Sequence, residues 1–188
     1  MRKEIVIAGF GGQGIQRIGK TLAKVLDSRG LLVSLRSSYG PEVYGGASSS
    51  QVVVKNSLED WPEVLMVDIL VAMSQEGYNA WISKTSLGSK VFFDVDMVKT
   101  VPLPHAHQYS IPATKVADKL GHRIVANMVM LGVLSAVIGF SSLETLVGVI
   151  KKEAGKFSEV NLKAVKEGYK LGGVDEMPIA DNALPWRG

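Results

Sequence analysis

A glycine-rich turn between an apolar run and an amphipathic segment constrains the fold of this chain more than any other feature. Residues 4–8 include four consecutive apolar residues, a pattern typical of a strand buried on both faces of a parallel sheet. Residues 9–14 then follow the pattern G-x-G-x-x-G. From residue 15 to residue 26 apolar residues recur at helical spacing, and Gly30 stands where that helix would end. The sequence therefore opens with a strand, a tight turn and a helix, as α/β proteins do.

Further short apolar runs predict additional strands, because β-branched and aromatic residues are frequent in them. They lie at residues 31–35, 51–55, 68–73 and 90–93. A chain of 188 residues with 46% hydrophobic composition is near the size of one domain and can bury a substantial core. We therefore predict an α/β fold, a single doubly wound and mostly parallel sheet in a Rossmann-like three-layer domain. It opens with a βαβ unit and ends with a helical C-terminal third.

The last third of the sequence is predicted to be helical. A short helix is expected after Pro112, and residues 124–140 are apolar on all sides, which is typical of a buried helix. Residues 141–144 form a capping box before the next helix. A final helix is expected over residues 158–171, before Gly172 and Gly173. We assign residues 1–173 to the domain and predict that the tail, residues 174–188 with Trp186, is a packing or subunit-contact arm.

Composition argues against several classes of function. The chain has no cysteine, so it cannot hold an iron–sulfur cluster through thiolates or form a disulfide. Its net charge of +3 arises from basic residues interspersed with acids, which is unlike a nucleic-acid-binding surface. The longest apolar segment is too short for a membrane span, and the first apolar run is too short for a secretion signal. We expect a soluble cytoplasmic protein with neither nucleic acid nor membrane as a partner.

The glycine turn alone leaves its function open. Its backbone N–H groups at a helix N-terminus suit a phosphate, but glycines would equally allow tight packing against a neighbouring subunit. Dinucleotide-binding turns are followed about 20 residues later by an acidic residue, whereas residues 35–38 here are Leu-Arg-Ser-Ser. Arg36 would instead suit the 2′-phosphate of NADP. A stand-alone NADP-dependent reductase is therefore one alternative.

Two further motifs make the turn more specific. Residues 38–47 form a loop rich in glycine, proline and tyrosine, and residues 127–132 are Asn-Met-Val-Met-Leu-Gly. Together with the turn, in the same order over residues 3–171, they resemble the gamma subunits of pyruvate, 2-oxoisovalerate and 2-oxoglutarate ferredoxin oxidoreductases. Tyr44 departs from the family pattern Pro-Glu-x-Arg-Gly-Gly. A tyrosine cannot supply the fixed charge and planar donors of that arginine.

The resemblance implies a division of labour within a complex. Alpha and beta subunits, with a ferredoxin-like delta subunit as a further partner, would provide the 2-oxoacid site, thiamine diphosphate with Mg²⁺ and the [4Fe–4S] clusters. The complex would convert a 2-oxoacid, here expected to be 2-oxoglutarate, and CoA to acyl-CoA and CO₂ while reducing ferredoxin. This chain would bind no cofactor, would be structural or close to CoA, and would be inactive alone. The beta subunit of indolepyruvate ferredoxin oxidoreductase is a second alternative.

The turn and the resemblance together give the candidate residues for CoA phosphate binding or subunit contact. They are Gly9, Gly11, Gly12, Gln13, Gly14, Ser38, Tyr39, Gly40, Pro41, Glu42, Tyr44, Gly45, Gly46 and Asn127. No residue is assigned to catalysis or to a metal. His105 and His107 lie in a predicted proline-bounded loop without a third ligand nearby. Asp94 and Asp96 follow a predicted strand, where capping of the loop is the favoured interpretation.

Overall fold

A mixed sheet forms the first of two units in the chain. The computed structural model describes residues 2–39, 47–55, 57, 60–153 and 158–173, with Tyr39 described by its backbone. The first unit, Met1–Pro112, is called the sheet unit, and the second, Ala113–Gly188, the helical unit. The helical C-terminal third predicted from the sequence corresponds to the second unit. The predicted tail, residues 174–188, lies outside the described residues.

In the described part of the sheet unit, six strands stand in the order β2-β3-β1-β4-β5-β6. The elements of this unit are β1 Lys3–Phe10, α1 Ile15–Asp27, β2 Leu32–Tyr39, β3 Ala47–Lys55, β4 Val67–Ala72, α2 Gln75–Trp81, β5 Thr85–Asp94 and β6 Ala106–Ile111. The pairs β1–β4, β4–β5 and β5–β6 are parallel, whereas β3 is antiparallel to both β1 and β2. The predicted α/β fold with a mostly parallel sheet is confirmed.

The opening βαβ unit differs from the prediction in one respect. β1 and β2 run in the same direction and are joined by α1, but β3 lies between them. β3 pairs with β1 from Lys3↔Val54 to Phe10↔Ala47. An apolar run in a sequence predicts that a strand exists but carries no information on its direction or neighbours. The insertion of β3 is therefore a feature of the structure that strand patterns alone do not give.

The sheet unit has one helix on each face close to β1. Since adjacent residues of a strand point to opposite faces, Ile7 and Ala8 mark the two sides. Ser50, which is paired with Ile7, donates from Oγ to Ile15 O at 3.1 Å, so α1 lies on the side of Ile7. Tyr78 of α2 belongs to the same buried cluster as Ala8. We call these sides the α1 face and the α2 face.

Two elements of the sheet unit are not predicted from the sequence. α2 has seven residues, which is too short to display apolar periodicity. It is capped by Ser74, whose side chain accepts the Gly77 N–H at 3.0 Å. The loop predicted around His105 and His107 is wrong in part, because His107 belongs to β6 and pairs with Lys90 of β5. His105 precedes the strand. Alternation is weak in β6, so its sequence does not reveal the strand.

The helical unit contains each of the predicted helices. Its elements are α3 Ala113–Lys119, α4 Ala126–Ile138, α5 Leu143–Lys152 and α6 Ser158–Gly172. α4 is shorter than predicted because a 3₁₀ turn, Arg123–Val125, precedes it and Gly139 ends it with φ of 71°. No helix within the described part of the chain is long and apolar enough to cross a membrane.

The N-terminus of α5 is capped one residue later than the sequence pattern suggests. Ser142 is the capping residue, and its Oγ accepts the Thr145 N–H at 3.2 Å. The Thr145 Oγ1 lies 3.1 Å from the same Ser142 Oγ. A capping box over residues 141–144 would have used Ser141 and Glu144 instead. The prediction of a serine cap at this helix is confirmed, but the register is shifted.

Two glycines bring α4 and α6 into backbone contact. A β-carbon on Gly132 would lie 2.2 Å from Val165 O, and one on Gly168 would lie 1.9 Å from Val129 O. Real β-carbons essentially never approach another heavy atom closer than 3.0 Å. The two helices can therefore cross at this distance only because these positions lack side chains.

We expect Gly168→Ala to lower the free energy of unfolding by about 1–3 kcal/mol, because the added methyl group must push α6 away from α4. In a chain of this size that corresponds to a fall in Tm of about 2–12 °C. Gly148→Ala in α5 is the matched control, since a β-carbon there would meet no described atom within 4 Å. The Gly148→Ala change should raise the free energy of unfolding by about 0.5–1 kcal/mol. Thermal denaturation measures both, and an unchanged Tm for Gly168→Ala would contradict the tight crossing.

Candidate functional site

The glycine turn lies at the carboxyl end of β1, beside the end of β4. Met73, the first residue after β4, donates its N–H to Ala8 O at 2.8 Å. Within the turn, Gln13 N donates to Phe10 O at 3.3 Å. Gly12 and Gly14 have φ of 99° and 74°, a left-handed conformation that favours glycine over residues with side chains. The predicted tight turn between strand and helix is therefore present.

The side chain of Gln13 holds the turn from inside. Its Oε1 accepts the Phe10 N–H at 2.9 Å, and its Nε2 donates to Met73 O at 2.6 Å. One amide thus links the end of β1 to the end of β4. The sequence placed Gln13 among residues for CoA phosphate binding or subunit contact. These contacts within the chain give it a positioning role, because they set the course of the turn.

The glycines of the turn serve different purposes. A β-carbon on Gly9 would lie 2.3 Å from Gln13 Oε1 and 2.7 Å from Ile15 Cδ1, so the packing of the chain itself requires glycine there. At Gly12 a β-carbon would meet no described atom within 4 Å. Gly11 and Gly12 are both exposed. The outer part of the turn therefore leaves its backbone open to a ligand or to another subunit.

The turn lies at a switch point of the sheet. β1 leads into α1 on one face, and the neighbouring parallel strand β4 leads through Ser74 into α2 on the other face. Open α/β sheets bind ligands in the crevice that forms at the carboxyl ends of strands at such a point. The capping residue of α1 is Gly14, which has no side chain to offer as a cap, and the described first turn of the helix carries no acid. Its N-terminus therefore suits an anion.

A pocket of about 290 Å³ opens on the α2 face beside the end of β1. Its floor is a row of small residues in register across three strands, Ala8 of β1, Ser49 of β3 and Ser38 of β2. Trp81 and Lys84 line its wall, with Lys84 Nζ 4.7 Å from the centroid of the Trp81 ring. The pocket thus offers an aromatic surface, an ammonium group and hydroxyls, which suit a flat anionic group.

Part of the predicted loop reaches this pocket. Ser38 and Ala47, at the two ends of the loop, both line it. The predicted residues that lie outside the described part are the side chain of Tyr39 and Gly40, Pro41, Glu42, Tyr44, Gly45 and Gly46. Asn127 belongs to the helical unit, where it is buried in the first turn of α4. The structure therefore places the turn and Ser38 at one end of the sheet unit.

Arg36 is not directed at the glycine turn. It lies two residues before Ser38 in β2 and so projects on the α2 face. Its Nη1 forms an ion pair with Glu63 Oε1. The residue that an NADP-binding site would need for the 2′-phosphate is therefore already paired with a carboxylate.

The other sequence candidates are explained by local structure. Asp94 is fully buried at the end of β5, and its Oδ1 accepts the Asp96 N–H at 3.2 Å. This is the capping interpretation that the sequence favoured. His105 Nε2 lies 2.9 Å from Thr85 Oγ1. Across the described residues no group of three or more His, Asp or Glu side chains is placed to hold a metal ion.

Three residues near the site are not predicted from the sequence: Gln16, Trp81 and Lys84. Gln16 Nε2 donates to Ser48 Oγ at 3.1 Å, and its Oε1 accepts the Ser50 hydroxyl at 2.9 Å. It therefore fastens α1 to the start of β3. The three serines at residues 48–50, at the start of an apolar strand, are the sequence signal that could have indicated a polar contact with α1. Trp81 and Lys84 carry no signal, because α2 itself is not predicted.

Replacing Gln13 by leucine should reduce stability, because the Phe10 N–H and the Met73 carbonyl would lose their partner. An unsatisfied buried group costs about 1–3 kcal/mol, which lowers Tm by about 2–12 °C in a chain of this size. Gln75→Leu is the control, since the Gln75 side chain also makes two hydrogen bonds but both are exposed to water. Calorimetry compares the two variants. A Tm for Gln13→Leu equal to that of the wild type would mean that the turn does not depend on this amide.

Comparison with known proteins identifies the family. The model of the family described as pyruvate ferredoxin/flavodoxin oxidoreductase matches residues 4–171. The chain is 39% identical over 178 residues to the 2-oxoglutarate synthase subunit KorC of Methanocaldococcus jannaschii, a match that covers 91% of this chain and 94% of that protein. The resemblance inferred from three spaced motifs is confirmed.

Solved structures agree with this assignment. The gamma subunit of keto/oxoacid ferredoxin oxidoreductase from Geobacter sulfurreducens PCA matches with a TM-score of 0.79 and 29% identity, over 90% of this chain and 95% of that chain. A chain of 2-oxoglutarate:ferredoxin oxidoreductase from Magnetococcus marinus, solved with 2-oxoglutarate, coenzyme A and succinyl-CoA bound, matches with a TM-score of 0.80 and 26% identity. That match covers 96% of this chain and 33% of the longer one. The chain belongs to the pyruvate ferredoxin/flavodoxin oxidoreductase family and is similar to its gamma subunits.

Proposed function

We propose that this chain is the gamma subunit of a cytoplasmic, CoA-dependent 2-oxoglutarate:ferredoxin oxidoreductase, and that its glycine turn and the adjoining pocket bind CoA. The observation that carries the proposal is the placement of an exposed glycine turn, the N-terminus of α1 and the Lys84 pocket at one end of one sheet in the described chain. The name of the Methanocaldococcus jannaschii relative supports 2-oxoglutarate as the oxoacid. The complex would form succinyl-CoA and CO₂ and pass two electrons to ferredoxin.

The cofactors of this reaction are assigned, in the proposal, to other subunits. Thiamine diphosphate with Mg²⁺ supplies the decarboxylation chemistry, and [4Fe–4S] clusters carry the electrons. The alpha, beta and ferredoxin-like delta partners would hold them. This chain does not fit a cluster, because it has no cysteine and clusters require thiolate ligands. The isolated chain is therefore expected to be inactive.

The proposed site would hold CoA by its nucleotide end. CoA carries its negative charge in a diphosphate and a 3′-phosphate, far from its thiol. The backbone at Gly11 and Gly12, beside the N-terminus of α1, would donate hydrogen bonds to phosphate oxygens. Lys84 would neutralise a phosphate, and the Trp81 ring would offer a face for stacking of the adenine. The thiol would then remain free to reach the reaction centre on a partner.

The two alternatives from the sequence have less support. A stand-alone NADP-dependent reductase would need Arg36 for the 2′-phosphate, and Arg36 is paired with Glu63. The beta subunit of indolepyruvate ferredoxin oxidoreductase differs in its oxoacid rather than in the role of this chain. Tyr44, where the family usually has arginine, lies outside the described residues, so the proposal assigns phosphate contact to Lys84 and the turn.

A native pull-down of the chain from its own cells tests the proposal. Recovered partners are identified by mass spectrometry, and the complex is assayed for CoA-dependent ferredoxin reduction with 2-oxoglutarate, 2-oxoisovalerate, pyruvate and indolepyruvate. We expect thiamine-binding and cluster-binding partners and a preference for 2-oxoglutarate. Preference for indolepyruvate would replace the substrate assignment. Recovery of the chain alone, with saturable NADPH binding and hydride transfer, would contradict the proposal as a whole.

Gly12→Val should raise the KM for CoA in the complex by about tenfold or more, equivalent to ~1.4 kcal/mol. A branched side chain would block the approach of a phosphate to the turn backbone. Gly30→Val is the matched control. Gly30 also has a positive φ, 77°, and a β-carbon there would meet no described atom within 4 Å, so both variants place valine in a left-handed conformation. An unchanged KM in assembled Gly12→Val would remove the turn from the CoA site.

Lys84→Gln should raise the KM for CoA by about three- to tenfold, the effect of losing a partly exposed charge contact worth ~1 kcal/mol. The KM for the oxoacid should not change, because the pocket is assigned to the nucleotide. Lys99→Gln is the control at another exposed lysine of the sheet unit. If Lys84 contacts the 3′-phosphate, the variant and the wild type should use 3′-dephospho-CoA equally well. A KM for CoA that stays at the wild-type value would exclude Lys84 from phosphate binding.

A further inference from the structure

The last part of the segment that joins β3 to β4, residues 61–66, is held to the sheet through its backbone. Arg2 donates from Nη1 to Trp61 O at 2.5 Å. Glu4, which is 5% exposed, accepts the N–H groups of Leu65 and Met66 on Oε2 at 2.5 and 2.9 Å. Arg2 and Glu4 also pair with each other at 2.7 Å. One partly buried ion pair at the amino end of β1 therefore fixes the course of residues 61–66.

Three large apolar side chains of the segment project into solvent as a result. Trp61 is 59% exposed, Leu65 63% and Met66 51%. We call these three residues the apolar ridge. Glu63 of the same segment forms an exposed ion pair with Arg36 of β2. An apolar centre with a polar margin is the composition of a protein–protein interface.

The apolar ridge is suited to contact rather than to the folding of the chain. Burying a large apolar side chain stabilises a fold, and this chain on its own lacks much of that contribution at each of the three positions. Their backbone is already fixed by Arg2 and Glu4, so binding would order little more than side-chain rotamers. Trp and Met are also enriched at interfaces, and Trp is frequent among the residues that dominate binding energy.

We propose that the apolar ridge is the docking surface for a second subunit, the separate protein equivalent to the remainder of the longer Magnetococcus marinus chain. This chain covers 33% of that relative, so there the remaining part is joined covalently to a domain of this kind. Where the same partner is a separate protein, the contact lacks the high effective concentration that a covalent link provides. The contact between separate subunits must then be stabilised by large buried side chains at the interface. The inference rests on the proposed function, which makes this chain one subunit of several.

The absence of cysteine from the chain allows a direct test. Leu65→Cys introduces a single thiol on the apolar ridge, and Val101→Cys introduces one at a different exposed position, in the connection between β5 and β6, that is 66% exposed in the wild type. Each variant is treated with a maleimide, alone and after reconstitution with the equivalent subunit. Mass spectrometry of this chain measures the labelling rate. We expect labelling of Leu65→Cys to slow at least about tenfold on assembly, and that of Val101→Cys by less than about twofold, because an interface core excludes solvent.

A second measurement determines the Kd for association with the equivalent subunit. Trp61→Ser should weaken association with the same subunit by about tenfold or more in Kd, in the range of an interface hot spot, whereas Val101→Ser should leave Kd unchanged. Leu65→Cys that is labelled in the complex at the rate of the free chain overturns the proposal. So does protection that depends only on the concentration of this chain, since the ridge would then mediate self-association. Failure of the wild-type chain to join any complex refutes the proposed function itself, so the two failures are distinguishable.

Discussion

Backbone contact at the carboxyl end of β1 is the constraint on which the sheet unit depends. On the α1 face a β-carbon at Gly9 would lie 2.7 Å from Ile15 Cδ1, and on the α2 face one at Gly77 would lie 2.7 Å from the Ala8 carbonyl carbon. Both helices therefore reach the same strand end at a distance that glycine permits and larger residues do not. This contact fixes the turn at the switch point. It also leaves room beside α2, above Ser38 and Ser49, where the pocket forms.

The elements that the sequence predicts best are those whose signal is local. Residues 5–8, the turn and the stripe of α1 lie within 25 consecutive positions, and each follows from a period or a backbone requirement. The antiparallel return of β3 depends on a connection of residues 40–46, which is too short for a parallel crossover. The predicted strands at 31–35 and 51–55 are shorter than β2 and β3, so the predicted connection between them is longer than the actual one. The direction of β3 therefore follows from where the strands end, which their apolar centres do not reveal.

In the candidate site, too, the features that were predicted have a local signal and those that were missed depend on distant residues. The exposed backbone of Gly11 and Gly12 follows from the motif, whereas the inward direction of Gln13 depends on a carbonyl 60 residues away, at Met73. No sequence pattern within the turn distinguishes an amide that binds a ligand from one that ties two strands together. Trp81 and Lys84 join the site only because α2 crosses β1 closely at Gly77. Tertiary packing, not local propensity, therefore decides which polar side chains surround the turn.

The two proposed surfaces lie at opposite ends of β1. The ion pair of Arg2 and Glu4 orients the apolar ridge at the amino end, and the glycine turn follows Phe10 at the carboxyl end. A strand from Lys3 to Phe10 spans about 23 Å at ~3.3 Å per residue, well beyond the ~7–10 Å over which substitutions usually couple. Substitutions on the ridge should therefore act on assembly without acting directly on the turn. Assembly and ligand binding could then be strengthened or weakened independently, because a rigid strand separates the residues responsible for each.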